Sequence, residues 1–223
     1  MIEAKEPTGH RGSVVTVDGR TESGRMSGEE YRMFLSGAAR HLSITGAIAP
    51  TLPTMARTLA AIVPSTHPVT VIELGPGTGA VSTAIHTRLT PGSRHIAIEI
   101  DPHMINHLHH THPWLEVIHG NATHLTQLLT TTGTHQADAI VSTLPWSMIP
   151  TPQQTTILQQ IAQTLAPGAA FSTVVGLHAR PLTTNARRFR HHLTTTFDEV
   201  LTTSTIWRNI PPSRSYVCRR PRV

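Results

Sequence analysis

Two hydrophobic periods alternate along this chain. Short runs rich in Val, Ile and Ala, bounded by Gly, Pro or polar clusters, predict strands near 69–74, 95–100, 115–119, 138–143 and 169–176. Apolar residues at helical spacing between them predict helices near 78–89, 102–110, 122–130, 152–165 and 183–193. Pro91-Gly92 and Pro167-Gly168 mark turns ahead of the second and fifth strands. Two late apolar segments, about 198–207 and 214–219, complete a set of seven strands. Upstream, Ser27 and Glu30 form a capping box for a helix over 27–42, with Tyr31, Phe34, Leu35 and Ala38 on one side. A Gly-Pro loop at 45–50 and a second helix over 52–63 follow. Alternating strands and helices predict an α/β fold, a doubly wound, mostly parallel sheet. The organisation expected is a flexible segment over 1–24, a helical cap over 25–66 and one sheet domain over 67–223.

Composition narrows this picture. The chain has 223 residues, enough for one α/β domain with a full core. No apolar run approaches the length of a membrane span, and residues 1–24 hold no signal-peptide core. A single cysteine, Cys218, excludes an intramolecular disulfide and fits a reducing compartment, so a cytoplasmic location is expected. The net charge is +5, carried by 17 Arg and one Lys, with nine arginines between Arg180 and Arg222. Such an asymmetry suits nucleic acid, an anionic lipid surface or an acidic substrate. Aromatics make up only 4% of the chain, which disfavours single-stranded nucleic acid, because base stacking needs aromatic platforms. His103, His107 and His110 have ligand spacing on one helix face. Histidines on several faces of the run 107–112 read instead as compositional bias filling surface positions, and no metal is expected.

The chemistry concentrates in Val71-Ile-Glu-Leu-Gly-Pro-Gly-Thr-Gly-Ala80. Gly75, Gly77 and Gly79 let a backbone turn sharply and let a ligand approach it. Glu99 ends the next strand about twenty residues on, where a carboxylate accepts both hydroxyls of a ribose. Gly75-x-Gly77-x-x-Ala80 also satisfies the dinucleotide fingerprint, so spacing alone leaves a nicotinamide cofactor open. Glu73, two residues before the first glycine, favours a cationic ligand over a pyrophosphate.

In its other phase, Glu73-x-Gly75-x-Gly77-x-Gly79 resembles motif I of class I S-adenosylmethionine-dependent methyltransferases, which have a Rossmann-like seven-stranded sheet with an antiparallel C-terminal hairpin. Three further segments resemble bacterial phospholipid N-methyltransferases, which act on phosphatidylethanolamine and are relatives of the ribosomal RNA adenine dimethylases. They are Thr45-Gly-Ala-Ile-Ala-Pro50 with Met55, Ala56 and Leu59; Ser142-Thr-Leu-Pro-Trp146 with Pro150; and Trp207-Arg-Asn-Ile-Pro-Pro212 with Tyr216 and Val217. The likeness covers roughly residues 30 to 220. It implies S-adenosyl-L-methionine as cofactor. Glu73 would hold its methionine amino end, and Gly75, Gly77, Thr78 and Gly79 would pass beneath it. Glu99 would take the ribose, Ile100 would pack on adenine, and Asn121 with Ala122 would meet the adenine edge. Thr45 and Gly46 would fold over it, and Thr143 would contact it through its backbone. Asn121 stands where many members carry an acid; its amide oxygen still accepts, without the charge.

For the methyl acceptor, Tyr31, Thr143 and Trp146 are the candidate catalytic residues, with Trp146 placed to meet a methylated ammonium by cation–π attraction. Arg180, Arg208 and Arg214 are the candidate substrate-side residues, while Arg219, Arg220 and Arg222 read as a basic tail. Amino-adenine methyltransferases place a carboxamide or carboxylate where this chain has Thr143, so an adenine acceptor is disfavoured. The leading expectation is methyl transfer to the amine of phosphatidylethanolamine, with peripheral contact on the inner membrane face. The alternative is a soluble small-molecule or natural-product amine. A non-catalytic cofactor-binding module is the third reading.

Overall fold

A computed structural model describes residues 52–176, 181–207 and 212–222, with backbone alone for 176 and 181–186. The helix expected over 27–42 and the loop over 45–50 lie outside these residues. In chain order the elements are α1 (Pro53–Ala60), β1 (Thr70–Leu74), α2 (Ala80–His86), β2 (Arg94–Glu99), α3 (Pro102–Thr111), β3 (Glu116–His119), a 3-10 turn (Ala122–His124) and α4 (Leu125–Thr130). There follow β4 (Ala137–Ser142), α5 (Thr151–Thr164), β5 (Leu165–Gly176), α6 (Pro181–Thr196), β6 (Phe197–Thr202) and β7 (Ser213–Pro221).

The seven strands form one sheet in the order β3-β2-β1-β4-β5-β7-β6. Neighbours from β3 through β5 run parallel, and β7 runs antiparallel to both β5 and β6. Central strands buried on both faces need near-continuous apolar runs, and β1, β2 and β4 supply them. On one face Ile72, Leu74, Ile96, Ile98 and Ile140 pack against side chains of α4, α5 and α6, including Leu125, Ile157, Ile161 and Phe189. On the other, Val71, Ala139 and Val141 meet Met55 and Leu59 of α1 and Val81 and Ile85 of α2, while Ala97 meets Leu108 of α3.

One boundary differs from expectation. The Pro167-Gly168 turn does not precede β5 but lies inside it. Ala137 pairs with Leu165 and Ala139 with Ala170, so the intervening residues bulge out of the ladder. Gly168 takes φ +81° within that bulge, which is why a glycine stands there.

The order reverses beside β1, because the chain builds outward to β3 and then returns to β4. A crevice opens at such a switch point, over the carboxyl ends of the strands. The glycine loop leaves β1 into this crevice. The β6–β7 connection lies at the same end, since Ser213 pairs with Gly176 at the carboxyl end of β5.

Candidate cofactor site

A recess opens at the switch point. Gly75, Glu99, Ile100, Asn121 and Ala122 line it, together with Ile98, Gly120, Leu144 and Ile157. Five residues singled out in the sequence thus meet in one place. The walls are largely aliphatic, which suits the flat face of a purine, with Glu99 and Asn121 as the polar side chains.

The glycine loop is tied to the protein at each of its three glycines. The Thr143 hydroxyl donates to the Gly75 carbonyl, and the Gly75 N–H donates to the Ile98 carbonyl at 3.0 Å. The Gly77 N–H donates to Glu99 Oε2 at 3.2 Å. The Gly79 carbonyl, the first acceptor of α2, receives Thr83 N–H at 2.9 Å and the Thr83 hydroxyl at 3.1 Å. All three glycines have positive φ, +72°, +55° and +86°. A Cβ on Gly77 would meet nothing within 4 Å, so the Cα of Gly77 borders open space that a ligand can enter. Thr78 is exposed on the loop beside it.

Glu99 is buried, and three backbone N–H groups converge on it. Oε1 accepts from Ile100 at 2.8 Å and Asp101 at 2.9 Å, and Oε2 accepts from Gly77. Burial raises its carboxyl above the usual carboxylate range, and the backbone donors of Asp101, Gly77 and Ile100 work against that rise. The arrangement is a buried acceptor held at the end of β2 against the cofactor loop. Asn121 caps the 3-10 turn, its Oδ1 accepting from Thr123 N–H at 3.0 Å. Its oxygen, the atom expected to meet adenine, therefore also has a structural duty.

Glu73 occupies a different environment from the one its motif suggests. It is fully buried on the α2 side of β1. Oε2 accepts from Ser82 at 2.7 Å and stands 3.1 Å from His95 Nε2, close enough for an ion pair but off the in-line geometry of a hydrogen bond. Oε1 makes no hydrogen bond to the described residues. Glu73 thus braces α2 against β1 and β2.

Trp146 requires a correction. Its ring is 2% exposed, stacked on Phe189 of α6 at 4.5 Å, and its indole N–H donates to Thr173 at 2.7 Å. Gln154 holds the same loop by donating to the Trp146 and Ile149 carbonyls. A ring with its donor satisfied and its face covered is core, not a cage for an ammonium. The Thr143 hydroxyl is spent on the Gly75 carbonyl of the cofactor loop. Tyr31, Thr45, Gly46, Arg180 and Arg208 lie outside the described residues. Arg214 is exposed on β7, and its Nε donates to the Thr205 hydroxyl at 2.7 Å. No group of three or more metal-binding side chains occurs among the described residues.

Two buried histidines escaped the sequence reading, His95 and His112. His112 was grouped with a biased surface run. Its spacing was the missed signal: Ile105 and Leu108 on the buried face of α3 and His112 at its C-cap fall at i, i+3 and i+7.

Comparison with known proteins agrees with this geometry. A family model described as a methyltransferase domain matches residues 71–168. An ornithine lipid N-methyltransferase of Singulisphaera acidiphila is 30% identical over 196 residues, covering 86% of this chain and 96% of that protein. Among solved structures, the O-methyltransferase from Bacillus cereus in complex with SAH superposes with a TM-score of 0.59 at 13% identity, over 83% of this chain and 90% of that one. Human methyltransferase-like protein 13, also in complex with SAH, gives 0.55 at 16% identity, over 82% of each chain.

Proposed function

Because the chain belongs to the class I S-adenosylmethionine-dependent methyltransferases, we propose that its methyl acceptor is the head-group amine of a membrane lipid. The observation that carries this reading is the 30% identity to an ornithine lipid N-methyltransferase, sustained over nearly the whole of that protein.

S-adenosylmethionine, when bound, supplies an electrophilic methyl on a sulfonium. The chain's own task is to hold it, align an amine with it and keep water away. The glycine loop presents open backbone at Gly77, Glu99 accepts at the ribose, and Ile98, Ile100, Leu144 and Ile157 form a dry wall. Thr143 holds the loop from the β4 side, which fixes the floor on which the transfer takes place. The amine attacks through its lone pair, so it must shed its ammonium proton first, and the rate rises with pH until the amine is unprotonated.

Charge placement supports a lipid surface. Of the late arginines, Arg219 and Arg220 pair with Glu199 and Arg222 pairs with Asp198, all at the end of the hairpin away from the site. At the catalytic end stand Arg214, paired with a hydroxyl instead of an acid, and Trp207, 76% exposed. An indole and a guanidinium on one rim are the groups that settle at a bilayer interface. No helix among the described residues is long and apolar enough to cross a membrane, so the contact proposed is peripheral.

The test is methyl transfer from labelled S-adenosylmethionine into vesicles containing ornithine lipid, into vesicles containing phosphatidylethanolamine, and into free ornithine and ethanolamine. Label in either lipid and little in the free amines is the expected result, with ornithine lipid the first head group to try. Transfer to a free amine at equal or greater kcat/KM would overturn the proposal in favour of a soluble acceptor.

A further inference from the structure

The third glycine of the cofactor loop and His112, 33 residues further on, are built as one unit. A Cβ on Gly79 would lie 2.2 Å from His112 Cε1 and 2.4 Å from Nε2, so the imidazole fills the space that only a glycine leaves. His112 Nε2 lies 3.1 Å from the Gly79 carbonyl, which can only accept, so this nitrogen carries a proton and donates. The same nitrogen is 3.1 Å from the Thr83 hydroxyl, itself bonded to that carbonyl. On its other edge Nδ1 stands 2.7 Å from the Thr111 hydroxyl. The ring is 5.3 Å from Trp114, edge to face, and Trp114 in turn stacks on His86 of α2 at 3.9 Å. The backbone N–H of His112 closes α3 on the Leu108 carbonyl at 2.7 Å.

We propose that His112 is a positioning residue for the cofactor: it locks Gly79, and through it the Gly77–Gly79 backbone, in the conformation that receives S-adenosylmethionine. The physical need is specific. A glycine at φ +86° has no side chain to restrict it and can rotate to many other conformations. Its only restraints are the contacts around it, and the imidazole supplies two of them, a filled volume and a donor on the carbonyl. Any rotation at Gly79 is passed to Gly77, whose N–H is tied to Glu99 Oε2. Loss of the lock therefore disturbs the loop backbone and the ribose acceptor together. His112 is not among the residues lining the recess, so it acts only through Gly79.

Three variants of the full chain separate this role from mere packing. His112→Ala removes volume and donor, His112→Phe keeps volume, and His112→Gln keeps a side-chain N–H donor. Affinity for S-adenosylhomocysteine is read by calorimetry well below each variant's Tm, and steady-state constants are read for cofactor and acceptor separately. The expected result is an affinity loss of about tenfold for Ala, about threefold for Phe, and near-native binding for Gln. The cofactor KM rises in parallel, kcat falls, and the acceptor KM is unchanged. If Ala or Phe lowers Tm yet leaves affinity and cofactor KM native, or if Gln fails to restore them, the proposal is overturned. Should His112→Ala not fold, the comparison of Phe with Gln still decides. Because the readout is cofactor affinity, it is independent of which amine the enzyme methylates.

Discussion

The cofactor loop and the β6–β7 rim stand at the same end of one sheet, yet they are held by opposite means. Every glycine of the loop is fastened from a different element: Gly75 by Thr143, Gly77 by Glu99, Gly79 by Thr83 and His112. The rim presents an exposed indole at Trp207 and an exposed guanidinium at Arg214. The difference follows from what each must recognise. A cofactor of one shape is bound by a cavity set in advance, because preorganised contacts cost little ordering on binding. A lipid surface has no single shape, so it is met by charge and by amphipathic side chains.

The comparison breaks most sharply at Gly79. Gly79→Ala forces a Cβ into the imidazole of His112 and strains a left-handed backbone, on the order of 1–3 kcal/mol for the strain alone. The loop escapes by changing conformation, and affinity for S-adenosylhomocysteine falls roughly a hundredfold, with vesicle binding unchanged. Native affinity would show that the loop is not fixed as described.

Next comes Glu99. Glu99→Gln lowers cofactor affinity by about 1.5–3 kcal/mol, read by calorimetry, if the carboxylate accepts ribose hydroxyls. The same group leaves a mark on stability. Its folded pKa is raised above the ordinary value of 4.5 by burial, so the neutral carboxyl favours the fold. That contribution is fully present below the unfolded pKa and is lost as pH rises through the folded value. Thermal unfolding of the cofactor-free protein above pH 4.5 therefore shows a downward slope that the Gln variant lacks. Parallel curves would contradict the assignment.

Smaller effects belong to the rim. Trp207→Ala and Arg214→Glu each reduce sedimentation with anionic vesicles several-fold, about 1 kcal/mol for a basic residue near such a surface. Neither alters affinity for S-adenosylhomocysteine. Arg222→Ala, at the other end of the hairpin and paired with Asp198, changes vesicle binding little, since exposed pairs contribute about 0–1 kcal/mol. Equal losses for Arg214→Glu and Arg222→Ala, with none for Trp207→Ala, would mean that charge alone acts, without a preferred face.

Much of the cofactor site was legible because its determinants are local. Three alternating glycines need no partner to announce a turn of positive φ, and Glu99 follows a strand whose apolar run is plain. Asn121 and Ala122 come directly after β3 and so reach the same crevice. Trp146 misled because its segment resembles a motif at the mouth of the site, whereas the direction of its ring depends on Phe189 and Thr173, 43 and 27 residues away. His112 was overlooked because it sits in a run of histidines, and only the approach of α3 to Gly79 distinguishes it from its neighbours.

By itself the amino-acid sequence determined the alternation of strands and helices, the turn at the end of β1 and the acid at the end of β2. Those features depend on hydrophobic period, on φ freedom and on spacing within one βαβ unit, all of which are properties of contiguous residues. Only the tertiary structure decided that Glu73 braces α2, that Trp146 is core, that His112 lies beneath Gly79 and that Arg214 stands at the opposite end of the hairpin from Arg219, Arg220 and Arg222. Each of these depends on which surfaces meet across the sheet, and burial, not residue type, sets what such a side chain does.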